Sequence, residues 1–154
     1  MAEQYLSAYA VDARDLDDSL GSDHDPLGRA LEAGTSLGGA TLPGRGWDVL
    51  DRAFDAWNLP ILAETWRRPW PFPPFGDADP WPFPMRASRA QLDAISRELA
   101  DFDSERIHEN YDLLPSGDDD ADEVAWLLED RLTSWVTRVL ELGTELLIVR
   151  DGGR

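Results

Sequence analysis

The chain has 154 residues, no Cys and a formal net charge of −17, and its 14 basic residues are all Arg. That length suits one domain with a single core, and seven Trp argue against disorder despite the charge. Without Cys there is no disulfide frame, thiol nucleophile or cysteine metal cluster, and so anionic a surface repels nucleic-acid phosphate and anionic membrane while attracting basic partners. Solubility or adaptation to high salt is the plainer use of the same charge. The N-terminus lacks a basic region followed by an apolar stretch, and no apolar run is long enough to cross a bilayer, so a cytoplasmic location is expected.

Gln4 to Val11 is rich in β-favouring and apolar residues and reads as a strand. Asp12 can cap a helix over Ala13 to Leu20, whose first turn is acidic and which Gly21 stops. A second helix follows Pro26, with Leu27, Ala30 and Leu31 inward and Gly34 as terminator. Thr35 to Gly46, with its glycines and Pro43, reads as a loop. Trp47, Leu50, Phe54 and Trp57 recur at steps of three, four and three, which predicts a helix over Trp47 to Trp57. Its aromatic face is either core or a ligand-stacking surface, core being preferred. Pro60 is read as ending that helical region.

Residues 66–84 form a Pro/Trp-rich loop in which Pro-Trp-Pro-Phe-Pro occurs at Pro69–Pro73 and again at Pro80–Pro84. Alternate prolines remove amide donors, so helix and central strand are both disfavoured and extended or irregular chain remains. The intervening aromatics either plug the domain's own core or present a patch to a partner, and the packed alternative is preferred. Ser88-Arg89-Ala90-Gln91 has the form of a capping box, ahead of an inward stripe of Leu92, Ile95, Leu99 and Phe102. A short helix is expected from Asp103 or Ser104 through Tyr111, then an acidic loop over 115–123. Asp120 and Glu123 can cap a long helix, Asp122 to Leu142, whose stripe is Val124, Leu128, Leu132, Trp135, Val139 and Leu142, widened by Leu127. Gly143 stops it, and the nearly continuous apolar run Glu145 to Val149 reads as a strand buried on both faces beside the Tyr5–Val11 strand. The fold class expected is α+β: one domain, 1–154, with a small mixed sheet of N- and C-terminal strands covered by helices in a three-layer arrangement.

No motif names a reaction. His24 and His108 have acidic neighbours but no third partner at metal-ligand spacing. A nucleophile elbow is lacking, and Gly44-Arg45-Gly46 lacks the further glycine and the Lys of a phosphate loop. Asp118, Asp120, Asp122 and Glu129 imitate a calcium loop, but Glu123 stands where the sharp turn needs Gly. No catalytic residue, metal ligand or cofactor is therefore assigned.

Four stretches carry a resemblance. They are Tyr9-Ala10-Val11-Asp12 with Leu16 and Leu20; Gly46 to Phe54; Met85 to Leu92 with Asp101-Phe102-Asp103; and Trp126-Leu127-Leu128-Glu129 with Leu140 to Val149. In this order they resemble the YfbM-like family of small bacterial proteins, a domain of unknown function. The resemblance implies a three-layer α/β sandwich, carries over no catalytic residues, and suggests an immunity role, since relatives are often found beside toxin genes. The Pro-Trp-Pro-Phe-Pro copies depart from the family, where a shorter glycine-containing loop is expected.

The leading expectation is a non-enzymatic acidic protein-binding domain, in its specific form an immunity-type inhibitor of a basic bacterial toxin. Asp118, Asp119, Asp120, Asp122 and Glu123 would steer the partner, with Trp70, Phe72, Trp81 and Phe83 as anchors. The alternative is an enzyme or small-ligand binder with a pocket under the Pro/Trp-rich loop, built from Tyr9, Arg86, His108 or Tyr111. An acidic accessory domain is the third.

Overall fold

The computed structural model describes residues 4–21, 26–42, 46–56, 58–70, 83–101 and 126–152. Strands Gln4–Val11 (β1), Thr35–Leu42 (β2), Phe83–Ala87 (β3) and Glu145–Gly152 (β4) form one sheet in the order β2-β1-β4-β3. Every pairing is antiparallel, so the sheet is antiparallel rather than mixed. Among the described residues, six α-helices pack around it: Ala13–Leu20 (α1), Pro26–Ala33 (α2), Gly46–Ala56 (α3), Pro60–Arg67 (α4), Arg89–Ala100 (α5) and Thr133–Leu142 (α6). The fold is α+β.

Side-chain alternation along the strands divides the interior into two cores. Leu6, Ala8 and Ala10 of β1, Met85 and Ala87 of β3, and Leu146 and Ile148 of β4 face a large core closed by α3, α4, α5 and α6. Val11, Leu147 and Val149 face a smaller one closed by Leu16 of α1, Ala30 of α2 and Trp70. β4 is thus buried on both faces and paired with β1 from Val11↔Glu145 to Gln4↔Gly152, as its apolar run predicts. The layers are helices, sheet, helices.

Several elements differ from the sequence expectation, each for a local reason. Thr35–Leu42 is an edge strand, not a loop. Its glycines serve close approach: a Cβ on Gly39 would collide with the Leu6 carbonyl oxygen, and Gly38, at φ 94°, follows a bulge that leaves Leu37 outside the pairing with β1. Pro60 does not end a helix but begins one. Asn58, at φ 56°, ends α3, with the Leu59 amide donating to the Phe54 carbonyl at 2.8 Å, and Pro60 then takes the first position of α4. Trp66 therefore lies in α4, where it meets Phe54 edge-on at 5.6 Å between ring centroids, and not in the Pro/Trp-rich loop. Phe83 and Pro84 likewise belong to β3, which tolerates proline because it is an edge.

Asp12 precedes α1 without a side-chain capping bond, whereas Ser88 and Gln91 make the full reciprocal box at the start of α5. The C-terminal rod is not uniform. Leu127–Leu132 is a π-helical segment that runs into α6, and the Thr133 hydroxyl donates to the Leu128 carbonyl five residues back at 3.0 Å. Leu127, Leu128, Leu132, Trp135 and Val139 are buried as the stripe predicts, joined by Val136, but Leu142 is 45% exposed. Gly143, at φ 74°, ends the rod: its amide donates to Leu140 and that of Thr144 to Val139. The expectations for Phe102, the 103–111 helix, the acidic loop, and the capping by Asp120 and Glu123 lie outside the described residues, as do Trp57 and Val124.

Candidate functional site

Two groups of charged side chains converge on the face of the sheet covered by α1 and α2. The first is built around Glu145, the opening residue of β4, whose side chain is only 8% exposed. Its Oε1 accepts from Arg86 Nε at 2.8 Å and Arg86 Nη2 at 2.6 Å, and its Oε2 accepts from the Arg89 amide at 3.0 Å. Arg89 is the first residue of α5, so this carboxylate both neutralises a guanidinium and caps a helix N-terminus. Arg86 reaches the site because it opposes Leu147 on β3, two positions along β4 from Glu145 and on the same face. Its Nη1 donates outward to Asp17 of α1 at 3.1 Å. The cluster ties α1, β3, β4 and α5 together, with its donors and acceptors engaged within the chain. Its chemistry is that of a structural clasp.

The second group lines an open groove of about 480 Å³ between α1 and α2, formed by Asp15, Asp18, Ser19, Arg29, Glu32 and Ala33. The Ser19 hydroxyl is committed to the Asp15 carbonyl at 2.7 Å and is no free nucleophile. Of the groove's carboxylates, Asp18 and Glu32 are exposed and Asp15 is half-buried. Three carboxylates against one guanidinium give the groove a net negative lining.

Elsewhere several exposed guanidiniums pair with the chain's own carboxylates. Arg67 bridges Asp51 at 2.7 Å and Asp55 at 3.1 Å, and the hydrogen bonds it donates, first to Asp51 and then to Asp55, raise its pKa above the ordinary guanidinium value. Arg68 pairs with Glu64 and Arg138 with Glu141. The Arg131 guanidinium lies 5.0 Å from the ring centre of Trp126, which is 43% exposed.

Of the four aromatic anchors expected from sequence, Trp70 is fully buried in the smaller core and Phe83 is 9% exposed in the larger one. Both plug the chain's own interior, as the preferred alternative has it, and neither is offered to a partner. The Trp70 amide donates to the Pro84 carbonyl at 2.8 Å, pinning the segment to the edge of β3. Phe72, Trp81, Asp118, Asp119, Asp120, Asp122 and Glu123 lie outside the described residues. So do His108 and Tyr111 of the alternative pocket. Tyr9 and Arg86 do flank Leu147 on one sheet face, but Leu147 is fully buried and Tyr9 packs against the cluster that holds Trp70. Their shared face is filled with side chains rather than hollow.

Glu145 was missed by sequence reasoning because it opens an apolar run, and an acid there is conspicuous only once the register brings Arg86 beside it. Among the described residues, no group of three or more His, Asp or Glu is arranged to hold a metal ion, and no helix is long and apolar enough to cross a membrane. No family model matches the chain, and neither does a curated protein or a solved structure.

Proposed function

We propose that the chain is a non-enzymatic domain that binds a basic protein, in its specific form an immunity-type inhibitor that covers the active site of a basic toxin. The observation that carries this reading is the asymmetry of its charges. Arg67, Arg68, Arg86 and Arg138 are engaged by the chain's own carboxylates, while Asp18 and Glu32 are exposed along the α1–α2 groove and Asp12 is exposed at the start of α1. A surplus of 17 negative charges steers a cationic partner and speeds encounter, and the groove gives its Arg or Lys side chains a seat. The run of β1 into an acidic helix, the Ser88 capping box and the closing helix–Gly143–strand unit support distant membership of the YfbM-like family.

The test uses the immobilised chain and a lysate of the cells that carry its gene. A basic protein should be retained at low salt and released as ionic strength shortens the screening length from about 10 Å to about 3 Å. The triple substitution Asp15→Asn, Asp18→Asn, Glu32→Gln should lower retention about tenfold. Retention of no basic protein, or equal retention by the triple variant, would count against the reading.

A further inference from the structure

The two edges of the sheet are treated differently. At β3, Pro84 has no amide to offer and its carbonyl already accepts from Trp70, so that edge is blunted. At β2, no described element lies beyond the strand. Thr35, Ser36, Gly38, Gly39 and Thr41 are exposed, and among the described residues β2 pairs only with β1. β2 carries no Lys, Arg, Asp, Glu or Pro, the residues that ordinarily guard an open edge. It lies within Ala33 to Gly44, the longest stretch of the sequence with no charged residue, bounded by Glu32 and Arg45.

We propose that β2 is a self-association edge, and that its occupant is β2 of a second copy of this chain, added antiparallel about a twofold axis. Charge selects this occupant. Two molecules of net charge −17 repel wherever their carboxylates meet, and a strand without charges is where they approach at least electrostatic cost. An edge shaped to receive a basic peptide would carry acids along the strand itself. Geometry agrees. From Gly38 to Leu42 the strand is regular in its register with β1, beyond the bulge at Leu37. An antiparallel pairing centred on Ala40 sets Gly38 opposite Leu42 and Gly39 opposite Thr41, so the small residue of each pair faces the larger and side chains keep their sheet faces. The product is a continuous eight-stranded sheet with the blunted β3 edges outermost, a closed assembly rather than a filament.

This association and the binding of a basic protein respond oppositely to salt, so the failure of one is distinguishable from the failure of the other. Sedimentation velocity on the full chain should show a dimer whose dissociation constant falls as salt screens the repulsion. Thr41→Glu places two added carboxylates diagonally across the axis, at about 7–8 Å, and should weaken the dimer about tenfold. Thr41→Val, uncharged and β-favouring, should leave it intact, and far-ultraviolet circular dichroism should show both variants folded. A wild-type chain that stays monomeric up to about 1 mM at high salt would overturn the proposal. So would a dimer that Thr41→Glu leaves unchanged. Hydrogen exchange giving protection of β2 amides only when polyarginine is added would assign the edge to a foreign basic strand, and that too would overturn it.

Discussion

Helix α4 has no N-cap of its own, and this makes Glu98 the most informative side chain to alter. Leu59 precedes the helix and provides no side-chain acceptor. The Glu98 carboxylate, on α5, takes its place: Oε1 accepts from the Ile61 amide at 2.7 Å and Oε2 from the Leu62 amide at 3.0 Å. Replacing Glu98 with Ala removes a cap worth about 1–2 kcal/mol and a favourable charge at a helix N-terminus worth about 0.5 kcal/mol. Leu62 is buried, so its amide is left with little water, and an orphaned buried donor costs about 1–3 kcal/mol. Water can reach the half-buried Ile61 amide, so the terms do not simply add. A loss of about 2–3 kcal/mol follows, or about 5–10 °C in Tm for a domain of this size. Glu98→Gln keeps one acceptor oxygen and should lose about half as much. Urea unfolding followed by tryptophan fluorescence reads both, with Trp66 reporting from α4 itself. If Glu98→Ala unfolds within about 0.5 kcal/mol of wild type, or Glu98→Gln is as damaging as Glu98→Ala, the borrowed cap is not what secures this helix.

The Glu145 clasp predicts an asymmetry: Glu145→Ala should cost about 3–5 kcal/mol by leaving Arg86 buried without its main partner, against about 0.5 kcal/mol for Asp17→Asn, whose side chain is 66% exposed. Equal losses in urea unfolding would refute the ranking. Gly39→Ala must push the β1–β2 ladder apart at Leu6 and should lower stability by at least about 2 kcal/mol, whereas Gly38→Ala meets only the strain of positive φ, about 1 kcal/mol. Calorimetric Tm values order the pair. Gly143→Ala forces a Cβ onto φ 74° and should cost about 1 kcal/mol, read as a shift of the urea midpoint without a change in slope.

Much of the architecture is legible in the chain because it rests on short-range signals. The β-favouring, apolar composition of β1, the apolar run of β4, the Ser88–Gln91 box and the glycine stop at Gly143 each act within a few residues, and each stands in the folded chain. Two misreadings came from punctuation with more than one meaning. Pro60 can follow a helix or open one, and the Asn58 turn decides which. The glycines of β2 mark a loop until the Leu6 carbonyl is seen to need the space at Gly39. The π-helical segment changes the hydrogen-bond pattern and not the apolar stripe, so periodicity could not report it.

By itself, the sequence determined the chemical character of this protein: a cysteine-free α+β domain with a surplus of carboxylates and a segment in which aromatics alternate with prolines. Composition and local pattern are properties of the chain before it folds. Only the tertiary structure decided which charges meet and which remain outside. Glu145 reaches Arg86 across 59 residues and Glu98 reaches α4 across 36 and 37, and Trp70 turns inward instead of toward a partner. Long-range pairing depends on strand order and register, which no local pattern encodes, and strand order makes the charge-free β2 an edge beyond which no described element lies.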